Sequence, residues 1–133
     1  MIKRIEHIGI AVKSIDEALK LYTDVLGLKA EDVEVLADRN LKIVMIPVGE
    51  SSIELLEPTD SEGTIAKYIE RKGEGIHHLA FEVSNIEDTL ETIAKNGIPL
   101  IDEKPRKGSG NSKIAFLHPK GTKVLIELVE PGE

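Results

Sequence analysis

The chain contains no cysteine. That excludes disulfides, thiolate-bound metals and a cysteine nucleophile, and it fits a cytoplasmic setting. There is no apolar run long enough to cross a bilayer and no signal-peptide pattern, so no membrane partner is expected. Positive charge is in the minority, with 24 acidic against 17 basic residues and a net charge of −7. That balance argues against general nucleic-acid binding. What remains is an ordinary soluble composition, 41% hydrophobic and 31% charged over 133 residues. It is enough for one domain with a sizeable core, and too short for a separate cofactor domain.

Two stretches share one pattern. In Gly75-Ile76-His77-His78-Leu79-Ala80-Phe81-Glu82-Val83, alternation sends Leu79, Phe81 and Val83 to one face and Ile76, His78 and Ala80 to the other. In His7-Ile8-Gly9-Ile10-Ala11-Val12, Ile8, Ile10 and Val12 share a face, and His7, Gly9 and Ala11 take the opposite one. After each strand comes a helix signal. Ser14 is an N-cap with Glu17 three positions on, followed by Ile15, Ala18, Leu19, Tyr22 and Leu26 at helical spacing and then Gly27. Asn85 and Gly97 bracket the second helix. A weakly signalled strand is predicted over 29–36, a turn over 37–40, and strands over 41–48 and 52–57, the last stopped by Pro58. The connector 59–75 carries a short helix from Thr64 to Lys72.

The second half repeats the first. His7 matches His78 at a shift of 71 residues (78 − 7), as do Val12 with Val83, Ser14 with Asn85, Leu19 with Leu90, and Lys42–Ile46 with Lys113–Leu117. Ile53–Pro58 matches Ile126–Pro131 at 73 (127 − 54). The chain therefore reads as two tandem β-α-β-β-β modules, about 1–58 and 76–133, an α+β arrangement forming a single domain.

The repeat pairs His7 with His78 and Glu54 with Glu127. If the helices cover the face of Ile8 and Leu79, the four polar side chains converge on the opposite face. Two imidazoles and two carboxylates suit a divalent transition ion with open positions better than a closed structural zinc site. A lone strand histidine or glutamate is more often structural; the repetition of all four is what distinguishes them. His77 faces the apolar side, near the helix layer. His118 lacks a counterpart in the first half and is either a turn residue or a substrate contact. The basic cluster Lys104, Arg106, Lys107, Lys113, Lys120 and Lys123 is either a solvated face or a phosphate attractor. Gly108-Ser109-Gly110-Asn111 reads as a flexible loop.

These residues resemble the vicinal oxygen chelate (glyoxalase-like) superfamily and, within it, the methylmalonyl-coenzyme A epimerase family. The matching stretches are 7–12, 53–58, 75–83, 114–120 and 125–128, with Leu100-Ile101-Asp102 and Pro105-Arg106. The phrase Ile114–Lys120 is the more specific signal. Some members carry glutamine at the place of Glu54, and a strand carboxylate where Lys42 aligns. The resemblance implies a curved, partly open mixed β-sheet barrel around a divalent metal held by His7, Glu54, His78 and Glu127. The metal is expected to be cobalt, with manganese, zinc or nickel as alternatives. It further implies interconversion of (R)- and (S)-methylmalonyl-CoA, with Glu127 and Glu54 as acid/base groups, substrate contacts from Arg106, Lys113, His118 and Lys120, and a homodimer. Other readings stay open. They are glyoxalase I, an iron dioxygenase using two histidines and one carboxylate, and a non-catalytic ligand-binding protein.

Overall fold

The computed structural model of the chain describes residues 1–132. The strands are β1 (Ile2–Ala11), β2 (Glu34–Leu36), β3 (Leu41–Val48), β4 (Ser51–Pro58), β5 (Gly75–Val83), β6 (Arg106–Lys107), β7 (Lys113–Leu117) and β8 (Leu125–Glu130). The helices are α1 (Ile15–Leu19), α2 (Thr64–Lys72), α3 (Ile86–Lys95) and α4 (Pro119–Thr122). The expected α+β class holds, as does the β-α-β-β-β order of strands and first helix in both modules, with the short α4 inserted between β7 and β8. No helix of the described residues is long and apolar enough to cross a membrane.

Two compact units divide the chain, His7–His77, and Met1–Glu6 together with His78 onward. The division differs from a simple cut at the connector because β1 changes allegiance halfway. In the first unit the order is β2-β3-β4-β1, with β4 parallel to the second half of β1 and antiparallel to β3. In the second it is β5-β8-β7-β6, with β8 parallel to β5 and antiparallel to β7. The start of β1 belongs here. Arg4 Nε donates to Glu82 Oε1 at 2.8 Å, and Ser84 N donates to the Met1 carbonyl.

Within the first unit, α1 packs Ile15, Ala18 and Leu19 on Val12, Val44, Ile46 and Leu55. The connector helix α2 sets Ile65, Tyr68 and Ile69 against Ala11, Leu41, Ile43 and Leu56. Within the second, α3 packs Ile86, Leu90 and Ile93 on Phe81, Val83, Ala115, Leu117 and Leu128. Ile46, Leu55 and Ile86 are fully enclosed, each contributing about 1.5–3 kcal/mol of burial.

The helix starts repeat in atomic detail. Ser14 Oγ accepts from Glu17 N, and Asn85 Oδ1 accepts from Asp88 N. A glutamate from the last strand of each module adds a second cap. Glu57 Oε1 accepts from Ile15 N at 2.7 Å, and Glu130 Oε1 accepts from Ile86 N at 2.9 Å. Each carboxylate thereby satisfies an N–H that no helical carbonyl reaches, at the positive end of the helix.

Two local expectations are corrected. The first helix continues past Leu19 as a π-helical turn, Lys20–Val25. Leu26 N reaches the Leu21 carbonyl, and the Thr23 hydroxyl donates to the Leu19 carbonyl at 2.6 Å, competing with the regular ladder. The wider turn rotates the apolar stripe, so Leu26 is 57% exposed instead of packed. The strand expected over 29–36 is only Glu34–Leu36. The charged residues before it lack alternation, and the chain there holds β3 through the Glu31 N to Met45 O bond. His77, expected near the helix layer, packs edge-on against Tyr68 of the connector helix α2, ring centroids 4.9 Å apart.

Candidate active site

In the first unit, strand register decides which side chains meet. β1 and β4 run parallel with His7 opposite Ser52 and Gly9 opposite Glu54. Side chains of opposed residues share a face, so His7 and Glu54 lie on one face, the face away from α1. Gly9, beside Glu54, has no side chain to fill the space between them. His7 Nε2 and Glu54 Oε1 stand 3.5 Å apart, with side chains 9% and 15% exposed.

In the second unit the arrangement recurs. β5 and β8 run parallel with His78 opposite Leu125 and Ala80 opposite Glu127. Ala80 takes the place of Gly9 and is again small. His78 Nε2 and Glu127 Oε1 stand 3.4 Å apart, with side chains 7% and 11% exposed.

Each unit thus presents a buried imidazole nitrogen and a carboxylate oxygen side by side. Two ligand atoms each about 2.1 Å from one ion lie about 3.0–3.4 Å apart at octahedral to tetrahedral angles. The observed spacings of 3.5 and 3.4 Å lie at the wide, tetrahedral end of that range, and nitrogen with carboxylate oxygen is a borderline donor set that suits a divalent transition ion. Among the described residues, no buried side-chain nitrogen or oxygen lacks a partner.

The side chains facing the two glutamates across the antiparallel ladders are bulky and apolar. Met45 of β3 opposes Glu54, and Phe116 of β7 opposes Glu127. They are equivalent in the repeat, and sequence reasoning did not single them out. The signal was available, because each occupies the same position of the matched third-strand segment.

The expected substrate-contact residues separate. Arg106 stacks on Phe116, its guanidinium carbon 5.1 Å from the ring centroid, which places it on the face of Glu127. His118 caps α4, with Nδ1 accepting from Lys120 N at 3.0 Å, and both side chains are solvent-exposed. Lys113 lies on the other face of β7. It contacts Glu87 at 3.0 Å and Glu130 at 3.9 Å, so the structure gives it a place beside the α3 cap. Lys42 does the same in the first unit, 3.3 Å from Glu57, and so turns away from Glu54.

Comparison with known proteins agrees with this geometry. Residues 6–116 match the Glyoxalase/Bleomycin resistance protein/Dioxygenase superfamily. The chain is 32% identical to mitochondrial methylmalonyl-CoA epimerase of Mus musculus, over 94% of this chain and 71% of that protein. Among solved structures it superposes on a hypothetical protein from Bacillus halodurans C-125 with a TM-score of 0.92, at 43% identity over 98% and 95% of the two chains. It superposes on Streptomyces coelicolor methylmalonyl-CoA epimerase, in complex with 2-nitronate-propionyl-CoA, with a TM-score of 0.89. That match is 32% identical over 99% and 96%. The chain belongs to the Glyoxalase/Bleomycin resistance protein/Dioxygenase superfamily, alongside relatives that are epimerases of acyl-CoA thioesters.

Proposed function

We propose that this protein is a methylmalonyl-CoA epimerase, exchanging the (R) and (S) forms by removing and returning the proton between thioester and carboxylate. The observation that carries the reading is the repeated His/Glu pair, His7 with Glu54 and His78 with Glu127, on equivalent strands. Relatives named for this reaction align over nearly the whole chain.

Inversion requires a base on one side of a planar intermediate and an acid on the other. A duplicated half-site supplies one carboxylate of each kind from matching positions. Glu127 and Glu54 are the proposed acid/base groups. Phe116 and Met45 oppose them on the neighbouring strands and give each carboxylate an apolar neighbour. His7, Glu54 and His78 each offer a ligand atom, and with Glu127 they are the proposed metal ligands. A divalent ion bound there would supply positive charge that favours removal of the proton. The reading requires both modules to act as one domain. Arg106, His118 and Lys120 are the proposed contacts for the anionic groups of the substrate, whereas Lys113 is occupied elsewhere. A cytoplasmic homodimer, and cobalt in preference to manganese, zinc or nickel, belong to the same reading.

Proton NMR of methylmalonyl-CoA in deuterated water tests it. Added metal-loaded protein should erase the α-proton signal and convert a single epimer to the mixture. Unchanged methylmalonyl-CoA, with turnover of a glutathione hemithioacetal instead, would assign the chain to glyoxalase I chemistry.

A further inference from the structure

We infer that Asp102 is a positioning residue that holds Arg106 as the anion-binding group beside Glu127, and that this device, built in the second module only, orients the substrate. The inference rests on the epimerase reading above.

One oxygen of Asp102 makes three bonds. Oδ2 accepts from Phe116 N at 2.9 Å, from Arg106 Nε at 3.2 Å and from Arg106 Nη2 at 3.1 Å. The chain around it is tied to the same residue, since Ile101 N and Asp102 N both donate to the Phe116 carbonyl. The Asp102 side chain is 17% exposed and that of Arg106 is 55% exposed. An exposed arginine ordinarily samples many rotamers. Here two of its nitrogens are fixed to a carboxylate, and its guanidinium carbon lies over the Phe116 ring. Nη1, which Asp102 does not engage, remains for a ligand. Phe116 is the direct ladder partner of Glu127, so the held guanidinium sits on the face where the proposed acid/base group lies.

The first module shows what this device replaces. Glu31 is the repeat equivalent of Asp102 and makes the matching backbone bond, Glu31 N to the Met45 carbonyl at 2.8 Å. Arg106 is paired with Ile114 in its ladder, and Ile43, the equivalent of Ile114, is paired with Glu34. An acid therefore stands where the second module has the arginine. The two glutamates of the reaction are equivalent by repeat, but the matching ladder positions carry opposite charge, Glu34 opposite Ile43 and Arg106 opposite Ile114. An anionic oxygen group of the thioester substrate, whether its carboxylate or a phosphate of the coenzyme, is attracted at one module and repelled at the other.

Calorimetric binding and steady-state kinetics of the metal-loaded full chain test the inference. Asp102→Asn keeps an oxygen for the Phe116 N–H and removes the charge that holds Arg106. Arg106→Lys keeps the cation and leaves Asp102 on Phe116, but cannot make the two-nitrogen contact. Each should weaken methylmalonyl-CoA binding and raise KM about tenfold, with kcat changed less than about threefold, as expected when a ground-state contact is lost. Asp102→Asn combined with Arg106→Ala should bind no more weakly than Arg106→Ala alone, because the two residues act as one unit. Repeating the titrations with methylmalonyl-pantetheine, which keeps the carboxylate and lacks the phosphates, identifies the anion. A retained effect assigns the carboxylate, and a vanished one assigns the phosphate. Wild-type affinity in Asp102→Asn, or additive losses in the double variant, overturns the inference while the epimerase reading stands. A wild-type protein that binds neither thioester overturns that reading itself, and the inference with it.

Discussion

His78 Nε2 stands 3.4 Å from Glu127 Oε1, on strands held in parallel register with Ala80 opposite the glutamate. A carboxylate in that position has a double task in the proposed reaction, as ligand and as proton acceptor. Glu127→Gln keeps the size and an oxygen donor but removes the basic site. It should retain bound metal while losing epimerisation by ~10²-fold or more. Glu54→Gln should cost less, as relatives with glutamine there imply. Metal content and α-proton exchange measured on the same samples decide the matter. Near-wild-type turnover by metal-loaded Glu127→Gln would leave Glu127 a ligand alone.

Removing metal should lower stability as well as activity. Each unit buries an imidazole beside a carboxylate, an arrangement that a bound cation stabilises. With free ion at one hundred times its dissociation constant, binding adds about 2.7 kcal/mol to the folded state. Chelator-treated protein should melt at a lower temperature and recover on adding the divalent ion. His7→Ala and His78→Ala should each abolish the metal-dependent part of the shift. Melting curves insensitive to metal in the wild type would contradict the proposed ligand set.

The sequence made the duplication legible because the repeat preserves what strands and helices need. Small residues beside the glutamates, polar caps and helix-ending glycines recur at fixed shifts, and Gly27 and Gly97 do end their helices at φ +77° and +75°. Other features depend on three-dimensional pairing. Alternation assigned His77 to a face, but only the position of α2 shows that Tyr68 is its neighbour. Lys113 had the charge expected of a phosphate contact, and its location in β7 turned it toward Glu87 and Glu130. Charge in a sequence window carries no information about which side of a strand it leaves. The departure from α to π winding at Lys20 was illegible for a different reason. It follows from a side-chain hydroxyl competing for one carbonyl, an effect too local for periodicity to register.

The Glu87–Lys113 contact predicts a pH dependence. The hydrogen bond from Lys113 holds the Glu87 carboxyl below its ordinary value, and the same bond holds the Lys113 amine above its own. A depressed carboxyl contributes stability that is present above the unfolded value of 4.5 and lost as pH falls through the folded one. A raised amine contributes below 10.5 and loses that contribution as pH rises through its folded value. Glu87→Gln should therefore unfold slightly more easily at neutral pH and converge with wild type in strong acid. Both groups are exposed, so added salt should shrink the difference. A gap unchanged from neutral pH to strong acid would contradict the assignment.

Glu57 and Glu130 make the sharpest structural prediction. Each comes from the last strand of its module, and each accepts from the first N–H of the module's helix, Ile15 or Ile86. Each also has a lysine from the third strand nearby, Lys42 at 3.3 Å or Lys113 at 3.9 Å. The contact joins strand to helix and satisfies a donor that would otherwise be half-buried without a protein partner. Replacing either glutamate by alanine should cost about 1–2 kcal/mol, as for loss of a helix cap. The urea midpoint should fall without a change in slope. Glutamine keeps an acceptor and loses only the charge, so it should cost less than alanine. A general loosening of the fold gives the same midpoint shift, so hydrogen exchange must accompany it. In Glu57→Ala the Ile15 amide should lose protection while Ile86 keeps its own, and Glu130→Ala should show the reverse. Equal loss at both amides in either variant would mean that the glutamates act on global stability and do not serve as caps.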